Sequence, residues 1–418
     1  MQVYESVYEN VYKMLMKVLS SLLYPYSIDT FFQENWTKRA VFIPGNNLDK
    51  FQHLFSWQHL NHLLNYHQIP YPDLRFARDG ESLPAAKAKT EQWLELLQQG
   101  ATLIINSVHS RIPELEKLVA DVRQETGYRS QINLYCSPSS EKGFNCHYDT
   151  HEVLILQIDG EKEWFVFPET IASPVSTMRS AEKIPPDVPP YLQCILKPGD
   201  ILYIPRGHWH YAIACGNSAE EEYAPSLHLT LGIDCQTGLD WMTWLEQELP
   251  ENPAWRENLP VISQEDKTAA KAHLEQLRDR LISWLQTPEA IDDYLDYLAY
   301  CDRPPLPFSF PHQLGSQIFA QGLETRFICS QLHPVQILPK ILPTGKNQTQ
   351  IIIAAKQATI KGLPTDLVRK LFRPQGFTLL DLADWSPSLD LETEVIPLLT
   401  RLVTQGILLV DSSASMSE

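Results

Sequence analysis

The chain has 418 residues, which is too long for one compact core, so two or three domains are expected. Its 44% hydrophobic and 20% charged residues are typical of a soluble globular protein, and no apolar run approaches the ~18 residues of a membrane span. A formal net charge of −17 disfavours phosphate backbones as partners and favours basic proteins or peptides.

Cysteine usage points to a reducing compartment. The seven cysteines are scattered and none forms a C-x-x-C pair, which is the pattern of reduced thiols and argues against a structural zinc site. The N-terminus shows no basic leader followed by an uninterrupted apolar stretch. We therefore expect a cytoplasmic protein.

The first part of the chain, to about residue 120, mixes helices with short strands. It opens with an amphipathic helix that carries apolar residues at three- or four-residue steps: Val3, Val7, Val11, Leu15, Val18 and Leu22. Further along, helices are predicted around 55–64, 86–98 and 113–126, and strands over 73–77 and 101–106.

From about residue 131 to 235 the pattern changes to short apolar runs separated by turn residues. Strands are predicted over 132–136, 153–158, 164–167, 201–204, 211–214 and 227–233. Asp159-Gly160, between two of these runs, predicts a hairpin turn. Many short strands at this spacing favour a β-sandwich or barrel.

After residue 234 the pattern is helical. Residues 263–266 are a candidate cap for a helix whose apolar stripe runs from Ala270 to Leu285, and a Pro-rich break follows at 303–307. Near the end, a helix over 391–405 is stopped by Gly406 and followed by a strand over 407–410, which favours a winged helix. Residues 412–418 are expected to be disordered.

The segment His147-Tyr148-Asp149 is the strongest candidate for metal binding. Residues two apart in a strand point to the same face, so His147 and Asp149 could hold one ion. A third ligand could come from His210, which follows a strand and a Pro-Gly turn. Two imidazoles and one carboxylate leave other coordination positions open, which suits Fe(II) with a chelating co-substrate and O2.

Spacing alone leaves alternatives to this site open. H-x-D pairs are common by chance, and His151, His208 and His228 compete as ligands, since His208 shares the strand parity of His210. Lys162 has two interpretations. It is either a surface lysine between Glu161 and Glu163, or a buried cation that needs a carboxylate partner.

An ordered set of motifs resembles the JmjC-type ribosomal oxygenases of the cupin superfamily. These motifs are Asn133-Leu134-Tyr135, His147-Tyr148-Asp149, Gly160-Glu161-Lys162-Glu163-Trp164, Lys197-Pro198-Gly199-Asp200, Pro205-Arg206-Gly207 with His210, and Ser226-Leu227-His228-Leu229-Thr230. An ordered set of this kind is far more specific than any one motif.

The resemblance implies a role for each matching residue. His147, Asp149 and His210 would be the iron ligands, which prefers His210 over His208. Lys162 would bind the co-substrate 2-oxoglutarate, with Asn133, Tyr135 and Thr230 as further cofactor-binding residues. The substrate would contact Tyr135, Ser226 and His228. The reaction would consume O2 and hydroxylate a basic protein or peptide, in this family a ribosomal protein at a His or Arg β-carbon.

The resemblance also implies an α+β architecture built on a double-stranded β-helix, the cupin or JmjC jelly roll. The expected parts are an N-terminal helix (1–24), the oxygenase domain (25–240), a helical dimerisation region (241–325) and a winged-helix-like domain (326–418). We expect a homodimer. Residues 326–418 hold nine Lys/Arg and eight Asp/Glu, so direct nucleic-acid binding is not expected.

Two other classes of function compete with the oxygenase. A metal-dependent cupin enzyme that does not use 2-oxoglutarate would have no need of Lys162. A non-catalytic regulatory protein with a cupin barrel and a winged helix would have no reason to keep the His/Asp/His set together with Lys162. Release of succinate separates the first class from the oxygenase, and tight, salt-dependent DNA binding would favour the second.

Overall fold

The computed structural model describes residues 17–78, 80–83, 90–138, 143–180, 183–215, 225–261, 266–300, 305–341, 347–354 and 356–411. The chain forms two compact units, Met1–Asp240 and Trp241–Glu418. Several predicted features lie partly or wholly outside the described residues. They are most of the first amphipathic helix, the start of the helix over 86–98, most of the cap at 263–266, the first residues of the Pro-rich break and the tail.

The helices of the first unit largely follow the predicted periodicity. They are α1 (Lys17–Leu23), α2 (Ile28–Thr30), α3 (Trp57–Tyr66), α4 (Thr90–Gln98) and α5 (Pro113–Thr126), with a π-helical turn over Phe31–Asn35. The Ser56 side chain caps α3 by accepting from the amide of His59. α5 begins at a proline and ends before Gly127, whose φ of 73° allows the chain to leave the helix.

The first unit also contains β1 to β11. Their bounds are β1 Val41–Ile43, β2 Leu74–Arg78, β3 Glu81–Leu83, β4 Thr102–Ile105, β5 Arg129–Ser137, β6 Glu152–Asp159, β7 Lys162–Glu169, β8 Leu192–Leu196, β9 Ile201–Ile204, β10 His208–Ala214 and β11 Ser226–Asp234. All six strands predicted between residues 131 and 235 are confirmed, and β8 was missed.

These strands form two antiparallel sheets. The larger has the order β1-β9-β6-β11-β5-β4-β2-β3, and the smaller has the order β10-β7-β8. From β5 onward the chain passes repeatedly from one sheet to the other. The predicted hairpin at Asp159-Gly160 is therefore wrong, because this turn joins β6 of the large sheet to β7 of the small one.

Strand alternation divides the large sheet into two faces. One face packs on the helices through residues such as Leu134, Leu156 and Leu229. The other face carries Val153 and Ile155, which pack with Trp164 and Val166 of the small sheet. The inward residues of β5 and β11, among them Tyr135 and His228, consequently lie in the space between the two sheets.

The second unit combines helices with two small sheets. The boundary between the units falls within α6 (Gly238–Glu248). The other helices of the second unit are α7 (Thr268–Leu285), α8 (Glu289–Tyr300), α9 (Thr365–Leu371), α10 (Leu379–Trp385) and α11 (Ile396–Thr404). Its strands are β12 (Arg326–Ile328), β13 (Val335–Ile341), β14 (Asn347–Ile353), β15 (Lys356–Lys361), β16 (Phe377–Thr378) and β17 (Leu409–Val410). They pair in the orders β16-β12-β17 and β13-β14-β15.

The last helix and strand match their prediction in kind but not in length. Residues 391–395 form a π-helical turn that leads into α11, and Gly406 with a φ of 66° ends the helix. Only Leu409–Val410 of the predicted strand is paired. Within the described part of the chain, none of the helices is long and apolar enough to cross a membrane.

Candidate metal centre and its cavity

His147, Asp149 and His210 lie together at one end of the space between the sheets. One potential ligand atom from each lies within 4.8 Å of the others. Asp149 Oδ2 is 3.7 Å from His210 Nε2, and the two imidazole centroids are 4.5 Å apart. This is the only such group of His, Cys, Asp or Glu side chains among the described residues.

Backbone contacts bring the three residues together. His147 and His210 form an isolated antiparallel bridge, in which His147 N–H donates to His210 O (3.1 Å) and His210 N–H donates to His147 O (2.7 Å). Gly207 N–H donates to the carbonyl of Asp149 (2.9 Å). Strand alternation, from which a common face of His147 and Asp149 was expected, does not apply, since Asp149 lies in an irregular segment. Its carboxylate reaches the site through this turn, without strand alternation.

Local hydrogen bonds determine the tautomer of the two imidazoles. His147 Nδ1 lies 2.8 Å from the carbonyl of Asn145, and His210 Nδ1 lies 3.0 Å from the carbonyl of His208. A carbonyl oxygen only accepts, so each Nδ1 carries the hydrogen and each Nε2 has a free lone pair. Metal-binding histidines are typically oriented by such bonds.

Electrostatics keep the group ready for a cation. Burial, helped by the neighbouring His147, lowers the pKa of His210 to about 4, so this imidazole is neutral at neutral pH. Burial would raise the pKa of Asp149, but the imidazoles of His151, His147 and His210 outweigh it and lower the pKa overall. A cation would thus meet an ionised carboxylate and a neutral His210.

Two of the competing histidines, His208 and His151, make other contacts and do not belong to the group. His208 Nδ1 is 2.7 Å from the hydroxyl of Tyr191. The register between β10 and β7 shifts between His208 and His210, so their common sequence parity does not give them a common environment. His151 lies over the backbone of Gly232, where an added Cβ would be 2.8 Å from its ring.

A cavity of about 230 Å³ adjoins the three residues. Its walls include Arg75, Tyr135, Phe144, His147, Asp149, Val153, Ile155, Lys162, Trp164, His210, Tyr211, His228 and Thr230. His228 stacks on Tyr135 with ring centroids 4.9 Å apart and an interplanar angle of 5°. It also meets Trp164 edge to face. Burial, followed by the positive charge of Lys162, lowers the pKa of His228 well below its usual value.

Lys162 is a buried cation in the wall of this cavity, with 6% of its surface exposed. Its Nζ donates to Ser137 Oγ (3.0 Å), and no carboxylate of the described residues lies within ion-pair distance. Burial lowers its pKa to about 8. The surface interpretation is therefore wrong for Lys162, whereas its neighbour Glu161 pairs with Lys197 at 3.3 Å.

Two predicted site residues do not line the cavity. Asn133 makes a side-chain hydrogen bond with Tyr135, and its Oδ1 accepts from the amide of Ser107 (2.9 Å). Ser226 is fully buried and its Oγ accepts from Gln157 Nε2 (2.9 Å). Both residues lie on the inward face of their strands, but their side chains form hydrogen bonds that support the cavity wall and do not face the cavity.

Sequence reasoning missed several residues of the wall. The Arg75 guanidinium lies 5.6 Å from the centroid of Phe144, whose ring in turn contacts Tyr135 and His147. Trp164 was assigned to a strand without a role. Trp164 lies two residues after Lys162 in β7, so strand alternation could have placed it on the same face. Nothing in the local sequence distinguishes Arg75 from an exposed strand residue.

The residues fit a divalent cation with open coordination positions beside an anionic ligand. The donor set of two imidazoles and one carboxylate is typical of mononuclear Fe(II) sites. The cation Lys162 lies in the same cavity, where it can pair with a carboxylate of a small ligand. The aromatic walls would exclude water from whatever is bound between them.

Comparison with known proteins finds a matching domain family, curated relatives and solved structures. The family model of the JmjC domain matches residues 108–239. Ribosomal oxygenase 1 of Rattus norvegicus is 31% identical over 255 residues, or 57% of this chain and 41% of that protein. The bifunctional lysine-specific demethylase and histidyl-hydroxylase NO66 of Drosophila willistoni is 28% identical over 222 residues, or 51% of this chain and 28% of that protein. The chain thus spans less than half the length of either relative.

Solved structures show the same fold. The ribosomal oxygenase YcfD of Escherichia coli superposes with a TM-score of 0.56 at 18% identity, over 92% of this chain and 98% of that one. Another structure of YcfD, in complex with cobalt and 2-oxoglutarate, also gives a TM-score of 0.56, over 93% of this chain and 99% of that one. The chain therefore has the cupin-like fold of these structures, and its residues 108–239 match the JmjC domain.

Proposed function

We propose that the chain is an Fe(II)- and 2-oxoglutarate-dependent oxygenase that hydroxylates a side chain of a protein or peptide. The observation that carries this proposal is the His147/Asp149/His210 group in a cavity that also holds buried Lys162, without a carboxylate partner among the described residues. The names of the relatives, ribosomal oxygenase and histidyl-hydroxylase, support the same reaction.

Each residue has a defined task in this proposal. His147, Asp149 and His210 would hold the iron, and Lys162 would pair with the far carboxylate of 2-oxoglutarate, in line with the YcfD complex of cobalt and 2-oxoglutarate. Bound there, these groups supply O2 activation for the oxidation of a C–H bond, with succinate and CO2 as by-products. Tyr135, Trp164 and His228 exclude water and fix the position of the reactants.

We propose a basic segment of a ribosomal protein as substrate, modified at a His or Arg β-carbon. The net charge of −17 supports a basic partner, since opposite charge speeds encounter and favours docking. The relatives named ribosomal oxygenase support the substrate class. Thr230 and His228 in the cavity wall would contact the co-substrate and the substrate side chain, respectively.

The second unit supports two structural proposals. We assign 241–325 to a helical dimerisation region, because α7 and α8 expose apolar side chains such as Leu274, Ile291 and Leu295. We assign 326–418 to a winged-helix-like domain, in which α9 to α11 accompany the sheet β16-β12-β17. Its near balance of charges supports a role other than nucleic-acid binding. The six described cysteines are all free, which supports a cytoplasmic location.

The two rival functions, a cupin enzyme without 2-oxoglutarate and a non-catalytic protein, are less well supported. An enzyme without 2-oxoglutarate would leave Lys162 as a buried cation with no task, at a considerable desolvation cost. A non-catalytic protein would not need His147 and His210 oriented by hydrogen bonds to carbonyl oxygens. No described feature of the cavity favours either rival.

The reaction is tested by binding and by turnover. Purified protein is incubated anaerobically with Fe(II) and 2-oxoglutarate, O2 is admitted, and succinate is measured beside Asp149→Ala. We expect succinate from the wild type and none from Asp149→Ala, because the variant lacks the carboxylate ligand. Exposed Asp187 provides the matched control Asp187→Ala, which should behave like the wild type.

Binding measurements distinguish a reaction that is slow because its substrate is missing from a wrong assignment of function. If turnover without substrate is slow, Co(II) and 2-oxoglutarate should still bind the wild type and the Asp187→Ala control. Asp149→Ala should lose the metal. A wild type that binds neither Co(II) nor 2-oxoglutarate would contradict the proposed function.

A further inference from the structure

We infer that the buried ion pair between Arg206 and Glu152 is a positioning device, which holds the two metal-binding segments of the chain in register. The inference rests on the proposed function, because it takes His147, Asp149 and His210 as metal ligands. It assigns a task to two charged residues that do not touch the cavity.

The pair joins the two segments that carry the ligands. Glu152 is the first residue of β6 and follows Asp149 after a short turn, and Arg206 lies in the turn between β9 and β10, shortly before His210. Arg206 Nε is 3.6 Å from Glu152 Oε1. The Glu152 side chain is fully buried and that of Arg206 is 14% exposed.

The surrounding contacts fix the carboxylate. The hydroxyl of Tyr203 donates to Glu152 Oε2 at 2.5 Å, and the same hydroxyl accepts from the amide of Thr37 at 2.8 Å. Tyr203 itself is packed among Phe31 and Trp36. Glu152 is therefore anchored to the large sheet and to the segment before β1, while Arg206 lies on the turn that must be placed.

The two segments run side by side and contact each other at successive points. The His147–His210 bridge lies at one end, the bond from Gly207 N–H to Asp149 O follows, and the ion pair lies at the other end. The ligand side chain of Asp149 thus lies between the bridge and the ion pair. Between the His147–His210 bridge and the ladder of β6 with β9, the Asp149 turn is held against the Gly207 turn by the bond from Gly207 N–H and by the contacts of Glu152 with Arg206.

Stability alone is a poor explanation for this pair. Taking two charges out of water costs several kcal/mol per ion, and apolar residues of similar volume often serve a fold as well or better. At 3.6 Å, Nε and Oε1 attract each other without a good hydrogen bond, and neither atom has a hydrogen-bond partner among the described residues. A requirement for exact placement of the neighbouring ligands accounts for a costly pair at this position.

The test uses Co(II) as the metal probe and Glu152→Gln as the variant. The amide keeps the size of the side chain and removes its charge, so the Gly207–Asp149 contact loses its neighbouring support. We expect the Kd for Co(II) to rise about 10- to 100-fold, the usual effect of losing a residue that orients metal ligands. The visible absorption of bound Co(II) should change as well, because the ligand geometry changes.

A matched control comes from another ion pair of the same unit. Arg111 and Asp73 are 2.9 Å apart and contact no metal ligand, so Asp73→Asn removes one charge without disturbing the centre. Its Kd and Co(II) spectrum should equal those of the wild type. A merely structural role for Glu152 would lower the melting temperature of the metal-free protein and leave the Co(II) spectrum unchanged.

The double variant Glu152→Leu/Arg206→Met covers the case in which Glu152→Gln does not fold. Removing both charges avoids an unpaired buried ion and should keep the melting temperature near that of the wild type. Metal binding should nevertheless stay weak. Wild-type affinity and spectrum in a folded variant would overturn the inference, and so would the failure of both variants to fold. A wild type that binds no Co(II) would instead overturn the proposed function.

Discussion

Lys162 shows how one side chain connects burial to ligand binding. Its ammonium group is buried, bonds only to Ser137 Oγ among the described residues, and has its pKa lowered to about 8 by desolvation. The nearby groups do not titrate in the same range. Burial raises the pKa of Cys136 to about 11, and the pKa of His228 lies well below its usual value. Of Lys162, Cys136 and His228, Lys162 is therefore the one whose charge changes most between pH 7 and pH 10.

We predict that the affinity for 2-oxoglutarate falls as pH rises through about 8. The charged form of Lys162 binds the far carboxylate, and this form is lost above its pKa in the ligand-free protein. The Kd should be constant at lower pH and then rise by up to about tenfold per pH unit. Calorimetric titration of the Co(II)-loaded protein at several pH values measures it.

Two variants check the assignment to Lys162. Lys162→Arg keeps its charge at every pH of interest, so the rise in Kd around pH 8 should disappear. Lys162→Met removes the charge and should weaken binding at least about 30-fold at pH 7, the lower range for losing one partner of a buried charged pair. An unchanged pH profile in Lys162→Arg would assign the titration to another group.

The sequence could identify the candidate ligands but not their surroundings. Motif order singled out His147, Asp149, His210 and Lys162, which the structure brings to one cavity. Spacing could not separate His208 from His210, because the register shift in β10 that separates them has no sequence signature. Arg75 was missed because it comes from a distant strand, and only the folded sheet brings it near Tyr135.

At the scale of elements, apolar runs between turn residues predicted the strands well and their connections poorly. Each predicted apolar run between residues 131 and 235 is a strand, and β6, β9 and β11 are buried almost throughout, which explains why their apolar runs are continuous. β8 escaped detection because only Leu196 of its five residues is buried. The Asp159-Gly160 sequence predicts a hairpin because Asp-Gly favours a tight turn of the chain, and Gly160 does have a φ of 64°. A local turn signal does not tell which sheet receives the next strand.

The turn between β9 and β10 places His210 and depends on one glycine. Gly207 has a φ of 85°, and a Cβ there would lie 2.8 Å from Pro174 Cδ and 2.9 Å from Ile171 O. We predict that Gly207→Ala lowers the free energy of unfolding by about 2–4 kcal/mol, from backbone strain together with this clash. It should also weaken Co(II) binding, since the turn carries the bond to Asp149.

Gly127→Ala is the matched control for this turn. Gly127 has a φ of 73°, but a Cβ there would meet nothing within 4 Å. It should therefore cost only about 1 kcal/mol, the backbone penalty alone, and leave metal binding unchanged. Chemical denaturation measures both variants. Equal losses of stability would show that the contacts with Pro174 and Ile171 relax without cost.

At the scale of the molecule, the two units differ in how fully they bury their apolar residues. The first unit has a large core that spans the helices and the outer face of the large sheet. In the second unit, α7 buries only Ala270 of its predicted apolar stripe. The same stripe is typical of a helix that packs against its own fold or against another chain, and sequence periodicity cannot distinguish the two.

We predict that the wild type sediments as a dimer, at twice the monomer mass of 47.9 kDa, and that Leu295→Glu shifts it toward the monomer. Leu295 in α8 is 57% exposed, so the substitution should not disturb the monomer fold. In a dimer formed through α7 and α8 it would bury an unpaired carboxylate, at a cost of several kcal/mol. Leu380→Glu, at a leucine of α10 that is 41% exposed, is the control and should remain dimeric. A monomeric wild type would contradict the dimer, and dimers in both variants would contradict its assignment to α8.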